Sequence, residues 1–183
     1  MKRFILLFSL LILVHTLQAQ ITVSKLIGKN SESYKLGYGL FSFFEFPLNS
    51  EGNYKSIRLE LMDFVYYPGK DGNFFTATYG TGYLSIKLGY KTILSETQTG
   101  IYLEPSAGYC RVSTAETNLP EATSGNGFAA ALEGGYSLEV GDNGHTICVG
   151  LKFETDRAGA AHTLNSLGLR FSYAFHLFKR KED

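Results

Sequence analysis

The segment from residue 164 to residue 178 alternates large apolar residues with small or polar ones, and it reads LNSLGLRFSYAFHLF. The large positions are Leu167, Leu169, Phe171, Tyr173, Phe175 and Leu177, and between them lie Ser166, Gly168, Arg170, Ser172, Ala174 and His176. A period of two sustained over about twelve residues predicts a β-strand with two unlike faces. Its length, and the arginine midway along the polar face, favour a strand that crosses a membrane in a closed barrel, with lipid on one side and a polar interior on the other.

The composition is compatible with such a barrel. The chain has 183 residues, with 17 Lys and Arg against 17 Asp and Glu. Because these charges balance, the chain has no basic excess that would indicate nucleic acid as a partner. Apolar residues make up 44% of the chain. Helical membrane proteins show more, whereas this share is usual for a membrane barrel because only one face of each strand meets lipid.

The N-terminus has the features of a secretory signal peptide. Lys2 and Arg3 precede an apolar run from 4 to 14, which is too short to span a bilayer as a helix. We expect cleavage after Ala19. We therefore interpret 1–19 as a cleaved signal peptide, 20–178 as an outer-membrane barrel domain and 179–183 as a charged tail. The alternative is a retained N-terminal anchor.

Eight patterns, counting the last segment, predict strands, and none predicts a helix. The predicted strands are 20–28, 34–47, 54–67, 75–94, 98–113, 126–140, 144–154 and 164–178. Short connections at 49–53, 95–97 and 141–143 fall at one end, and longer ones at 29–33, 68–74, 114–125 and 156–163 fall at the other. The predicted fold class is all-β, an eight-stranded antiparallel up-and-down transmembrane β-barrel.

Two of these strands contain residues that disturb a regular ladder. Gly80 and Gly82 in the fourth predicted strand indicate a β-bulge. Pro105 falls on the apolar face of the fifth, where its missing N–H predicts a lost ladder hydrogen bond.

The polar faces carry glycine and balanced charge, which indicates that they point into the barrel. Glycine makes room where eight strands crowd a narrow interior. The charged residues of these faces are Glu45, Glu60, Glu104, Glu133, Glu139 and Glu154, with Lys35, Arg58, Lys87, Lys91, Lys152 and Arg170. Matched charges can pair where bulk water is excluded. We predict that one network locks the lumen, formed by Arg58, Glu60, Lys87, Glu104, Glu133, Lys152 and Arg170.

The apolar faces are interrupted near strand ends, as expected for residues at headgroup depth. The interruptions are Lys55, Asp63, Arg111 and His145. Aromatic residues gather near the same ends, with Tyr34, Tyr109, Phe128 and Phe153 at one rim and Phe44, Phe46, Tyr90 and Phe175 at the other. Two aromatic girdles are typical of outer-membrane barrels.

The last strand also contains a short motif. Ser166, Gly168, Phe171 and Tyr173 in SLGLRFSY match the assembly signal of barrel proteins, which is polar, any, Gly, any, any, aromatic, any, aromatic. The mature chain resembles the small eight-stranded outer-membrane barrels of the OmpA/OmpX-like group, in pattern rather than residue identity. The resemblance implies insertion by the barrel-assembly machinery, contact with outer-membrane lipid and no common enzymatic activity. Five charged residues after Phe178 depart from the aromatic ending usual in that group.

Catalytic and metal-binding motifs are weak or missing. Cys110 and Cys148 fall on polar faces of strands separated by a third, beyond disulfide reach. His162, Thr163 and Ser166 loosely resemble the residues of lipid-modifying barrels, but Leu164 stands where a His-x-Ser pair needs serine. We expect no metal, no cofactor and no enzymatic activity, and the sequence names no specific ligand.

The predicted role is envelope structure or surface interaction, since eight strands leave no room for a wide pore. Two alternatives remain open. One is a soluble secreted lipocalin-like barrel, whose apolar face would point inward and hold an apolar ligand. The other is a lipid-modifying outer-membrane enzyme.

Overall fold

The computed structural model describes residues 20–28, 31–48, 52–70, 80–115, 123–141, 145–158 and 162–174. The predicted signal peptide, residues 175–178 and the charged tail lie outside these ranges. No helix within the described ranges is long and apolar enough to cross a membrane.

Eight strands form one closed barrel. They are β1 (Gln20–Ile27), β2 (Gly37–Leu48), β3 (Lys55–Pro68), β4 (Gly80–Ile93), β5 (Gly100–Ala115), β6 (Thr123–Val140), β7 (His145–Ala158) and β8 (His162–Ala174). Each strand pairs antiparallel with its neighbours in sequence, and β1 pairs with β8 from Gln20↔Ser172 to Ile27↔Asn165. The predicted eight-stranded antiparallel up-and-down barrel is confirmed. A three-residue 3-10 turn, Ser31–Ser33, lies between β1 and β2.

The two ends of the barrel differ in their connections. We call the end that carries the connections 28–36, 69–79, 116–122 and 159–161 the loop end. The opposite end, which we call the terminal end, carries Gln20, Ala174 and the turns 49–54, 94–99 and 141–144. This assignment follows from the up-and-down topology, because alternate connections must fall at opposite ends.

The outer wall is apolar and the interior is polar. Leu88 and Leu169 on the wall are 58% and 57% exposed, whereas Arg58 and Lys87 are 2% and 1% exposed. Alternation places successive side chains on opposite sides of each strand, so every strand contributes to both surfaces. This arrangement is the reverse of a lipocalin-like barrel with an apolar interior.

A β-bulge in β3 shifts the face pattern by one residue. Leu61 and Met62 together oppose one residue of β4, because the register passes from Glu60↔Lys87 to Asp63↔Ser85. Both bulge residues face outward, and Asp63 beyond them is fully buried. The sequence prediction was therefore wrong for Asp63, which lies in the lumen and not at headgroup depth. Strict alternation carried past the bulge inverts every later side chain of the strand.

The same bulge explains further differences from the sequence prediction. Strict alternation along 54–67 predicts Val65 on the lipid face and Met62 inside, whereas Val65 is buried in the interior and Met62 is exposed. Gly80 and Gly82 do not form the predicted bulge, since the β3–β4 register is continuous from Asp63↔Ser85 to Pro68↔Gly80.

Strand ends also differ from the expectation. Strand β7 continues to Ala158, so Asp156, expected in a loop, belongs to the strand and is buried in the interior. The β4–β5 pairing stops at Gly89↔Ser106 and resumes at Thr92↔Leu103. The interruption lies opposite Pro105, where the missing N–H predicts it.

Apolar side chains close both ends of the interior. At the loop end, a cluster contains Leu26, Val65, Tyr67, Tyr83, Cys110, Val112, Ala129 and Ala158. At the terminal end, a smaller cluster contains Ile93, Tyr102 and Cys148. Both cysteines are free thiols, each in a different cluster. The charged residues lie between these two clusters.

Candidate functional site: the charged interior of the barrel

Five basic side chains of the described strands point into the lumen. They are Arg58 on β3, Lys87 and Lys91 on β4, Lys152 on β7 and Arg170 on β8. Seven acids share the interior, namely Glu45, Glu60, Asp63, Glu104, Glu133, Glu154 and Asp156. An isolated buried charge is unfavourable in a medium of low polarity, so the chemistry of this interior depends on pairing.

Seven of these residues form what we call the loop-side cluster: Glu60, Asp63, Lys87, Glu133, Lys152, Glu154 and Arg170. The Asp63 carboxylate accepts from both lysines, with Lys87 Nζ at 3.1 Å from Oδ2 and Lys152 Nζ also in contact. Lys87 also pairs with Glu60, at 3.0 Å from Oε1. The bulge in β3 places Asp63 at this central position.

Arg170 extends the loop-side cluster across the barrel. Its two terminal nitrogens lie 2.7 Å from Glu60 Oε2 and 2.9 Å from Glu133 Oε2. These carboxylates come from β3 and β6, whereas Arg170 belongs to β8. Planar guanidinium groups suit such two-sided pairing. The arginine therefore ties three strands that are not neighbours in the sheet.

A separate group, the terminal-side cluster, contains Arg58, Glu45, Glu104 and Lys91. Arg58 donates to Glu45 Oε2 at 2.9 Å and lies 2.8 Å from Glu104 Oε2. Lys91 Nζ donates to the Cys148 sulfur at 3.5 Å. No ion pair joins the two clusters within the described strands, so the seven residues predicted to form one network divide between two.

Aromatic residues connect the clusters. The Phe41 and Phe43 rings stack with centroids 6.2 Å apart. The Arg170 guanidinium lies 3.4 Å from the Phe41 centroid, and the Arg58 guanidinium lies 3.9 Å from that of Phe43. Cations over aromatic faces are attracted by the ring quadrupole. The sequence prediction missed both phenylalanines, although they share the face of β2 that carries Gly37, Gly39 and Glu45.

Two tyrosines border the charged layer, one toward each end of the barrel. The Tyr83 hydroxyl donates to Glu154 Oε1 at 2.5 Å, and the Tyr102 hydroxyl donates to Glu133 Oε1 at 2.5 Å. Tyr102 fits because Gly150 faces it: a Cβ there would lie 2.2 Å from the Tyr102 hydroxyl. This close approach is the crowding expected of a narrow lumen that glycine lines.

A small recess remains beside the β1–β8 seam. Its lining includes Thr22, Ser24, Tyr67, Ser166 and Gly168. Tyr67 and Ser24 share a hydrogen bond of 2.8 Å across it. Lys152 and Glu154 also line the recess. The space is bounded by these side chains and does not form a wide passage.

The proposed assembly motif has two residues on each face of β8. Ser166 and Gly168 face the interior, whereas Phe171 is exposed on the wall and Tyr173 is partly buried there. Tyr173 lies near His145, with ring centroids 6.0 Å apart.

The predicted girdle residues lie mostly on the wall. Phe46, Tyr90, Tyr109, Phe128 and Phe153 are exposed, and Phe44 is half-buried. Tyr34 differs, because it packs against the apolar cluster at the loop end. Phe175 lies outside the described residues. Among the other predicted interior charges, Lys35 and Glu139 are exposed near strand ends.

Two of the residues considered for lipid-modifying chemistry, Thr163 and Ser166, lie on opposite faces of β8, and the His162 side chain lies outside the description. Thr163 is exposed on the wall, whereas Ser166 faces the lumen. Within the described ranges, no group of three or more His, Cys, Asp or Glu residues is arranged to hold a metal ion.

An apolar wall around a charged lumen filled by side chains is typical of small eight-stranded transmembrane β-barrels, and this is the class of the protein. The structure is similar to that of the outer membrane enzyme PagL, with a TM-score of 0.58 and 12% identity over 86% of this chain and 100% of that one. It is also similar to that of Neisserial surface protein A, with a TM-score of 0.55 and 12% identity over 85% of this chain and 91% of that one. The resemblance to small outer-membrane barrels inferred from the sequence is confirmed as a likeness of fold.

No family model and no curated protein matches the sequence.

Proposed function

We propose that this chain is an outer-membrane β-barrel with a closed lumen, serving envelope structure or surface interaction and neither solute diffusion nor catalysis. The proposal is based on the polarity of the barrel, which is apolar outside and charged inside, the reverse of a soluble barrel. Leucines and aromatic residues cover the wall, and five buried bases pair with carboxylates inside. Such a surface is stable against lipid and unfavourable in water.

The closed lumen supports a role without bulk transport. Side chains from seven strands, β2 to β8, meet across the interior in the two ion-pair clusters. Apolar residues lie above and below them. An eight-stranded barrel is just wide enough for side chains to fill it. A passage for solutes would require several buried ion pairs to separate together.

One candidate activity comes from the similar structure of PagL, which is an outer membrane enzyme. At 12% identity this likeness concerns the fold, and one fold supports many functions. The separation of Thr163 and Ser166 on opposite faces favours the non-catalytic role. Insertion by the barrel-assembly machinery belongs to the same proposal, with Ser166, Gly168, Phe171 and Tyr173 as its signal.

Cell fractionation tests the proposal. We expect the chain in detergent-extracted outer membranes, and we expect its gel mobility to change on heating, because a folded barrel resists mild detergent. Release from washed membranes without detergent would overturn the membrane assignment.

Single-channel recordings in planar bilayers test the closed lumen, and stable open currents from the unmodified barrel would contradict it.

A further inference from the structure

Two exposed arginines stand on the outer wall toward the loop end. Arg111 on β5 pairs in register with Asn126 of β6, and Arg157 on β7 pairs with Phe128 of the same strand. Both side chains are exposed. Because adjacent strands lie about 4.8 Å apart, the two backbones are roughly 10 Å apart across β6. Two arginine side chains can converge over that distance.

The surroundings of the arginines combine donors with an apolar surface. Asn126 is exposed between them and offers an amide donor. Tyr109 and Phe128, which are partners in the β5–β6 ladder, are 51% and 57% exposed. In the next row, Ala107 pairs with Ala130, and these side chains are much smaller than the aromatic pair above them.

Among the residues that the structure describes, no carboxylate faces outward beside these arginines. In the described residues of β5 and β7, none of the outward-facing positions is acidic. On β6 the exposed carboxylate is Glu139, which lies at the terminal end of the strand. A guanidinium beside an apolar wall is unfavourable unless an anion or water satisfies it. Guanidinium groups bind phosphate through paired hydrogen bonds.

We propose that Arg111, Asn126 and Arg157 bind the phosphate of an anionic membrane lipid, whose acyl chain lies against Tyr109, Phe128 and the small Ala107–Ala130 pair. This inference rests on the proposed membrane location. A lipid fits this site because the phosphate-binding donors border an apolar wall. One lipid molecule presents both an anionic phosphate and an apolar acyl chain. The site would hold lipid beside β5–β7 on one side of the barrel.

The test uses the full-length barrel extracted in zwitterionic detergent and titrated with phosphatidic acid or phosphatidylcholine of the same acyl chains. Binding is read by native mass spectrometry. We expect preferential retention of phosphatidic acid. Arg111→Gln and Arg157→Gln should each weaken it about fivefold, and the double variant roughly thirtyfold, from the contribution of each base near an anionic headgroup. Inorganic phosphate added in excess should compete poorly, since it lacks the acyl chain.

Lys25→Gln is the matched control, because Lys25 is an exposed base on the wall that pairs in register with Leu167 on the β1–β8 side. Equal loss of binding in this control would overturn the site and indicate general charge attraction. Unchanged binding in the double arginine variant would also overturn it.

A membrane assay separates this inference from the proposed function. Failure of the unmodified chain to insert into phosphatidylcholine vesicles, with no heat-modifiable gel mobility, would overturn both. Normal insertion together with equal binding of phosphatidic acid and phosphatidylcholine would overturn the lipid site alone.

Discussion

The guanidinium of Arg170 lies 3.4 Å from the centroid of the Phe41 ring, although their strands are separated by β1. Arg170 belongs to β8 and Phe41 to β2, so the contact reaches across the seam where the barrel closes. Carboxylates of Glu60 and Glu133 hold the edge of the same guanidinium. The position of the arginine is therefore fixed both through its face and along its edge.

Replacing Phe41 with leucine removes this face-on contact while keeping an apolar side chain. We expect a loss of about 1–2 kcal/mol in the free energy of unfolding, the range for a desolvated cation–π pair. Urea titration of the barrel in lipid vesicles measures it. Phe46→Leu is the control, because Phe46 is exposed on the wall. Equal effects of the two changes would mean that Arg170 draws no stability from the ring.

Glu104→Gln tests the terminal-side cluster. Glutamine keeps the shape but removes the charge that faces Arg58 at 2.8 Å. We expect a loss of about 2 kcal/mol, since hydrogen bonds to charged groups contribute about 1.5–3 kcal/mol and Arg58 keeps Glu45. A small conductance in planar bilayers is also expected. Glu139→Gln, at an exposed position, should change neither quantity. Unaltered urea midpoint and conductance in Glu104→Gln would show that this pair does not lock the lumen.

Met62→Arg tests the bulge in β3. Strict alternation would place this side chain in the lumen, whereas the structure exposes it on the wall. A charge facing lipid costs about 2–4 kcal/mol near the middle of the bilayer. We expect reduced insertion and a lower urea midpoint, with Met62→Leu close to the unmodified barrel. If Met62→Arg were tolerated as well as Met62→Leu, the bulge would be misplaced.

Gly150→Ala tests crowding in the interior. The added methyl would lie 2.2 Å from the Tyr102 hydroxyl and would displace its hydrogen bond to Glu133. Overpacking of this kind typically costs about 1–3 kcal/mol. Gly134→Ala is the control, because its Cβ would meet ordinary contacts at 3.7 Å. We expect the control to be neutral or slightly stabilising in urea titration. A neutral Gly150→Ala would argue against a tightly filled lumen.

Tyr173→Asp tests the role of β8 in assembly. Tyr173 pairs with Ile147 of β7 on the outer wall, so the change places a charge toward lipid and alters the proposed assembly motif. We expect loss of the protein from the outer membrane and degradation before insertion, measured by immunoblots of cell fractions. Tyr173→Phe should behave normally. Normal levels of Tyr173→Asp would mean that this position neither faces lipid nor guides assembly.

Much of this architecture could be predicted from local sequence pattern. Alternation along β8 separates Leu167, Leu169 and Phe171 from Gly168 and Arg170, and the structure places these two sets on opposite faces. A period of two is a property of the strand itself. The number of strands and their two unlike faces could therefore be predicted without knowing which strands pair. The balance of acids and bases on one face similarly indicated a paired interior.

The position of Asp63 and the partners of each charge were decided only by the tertiary structure. One extra residue at Leu61 and Met62 inverts the rest of β3 and carries Asp63 into contact with Lys87 and Lys152. Register and bulges depend on how neighbouring strands pair, which a single-strand pattern does not contain. The division into two clusters has the same cause, because distances across the lumen are set by the stagger of all eight strands.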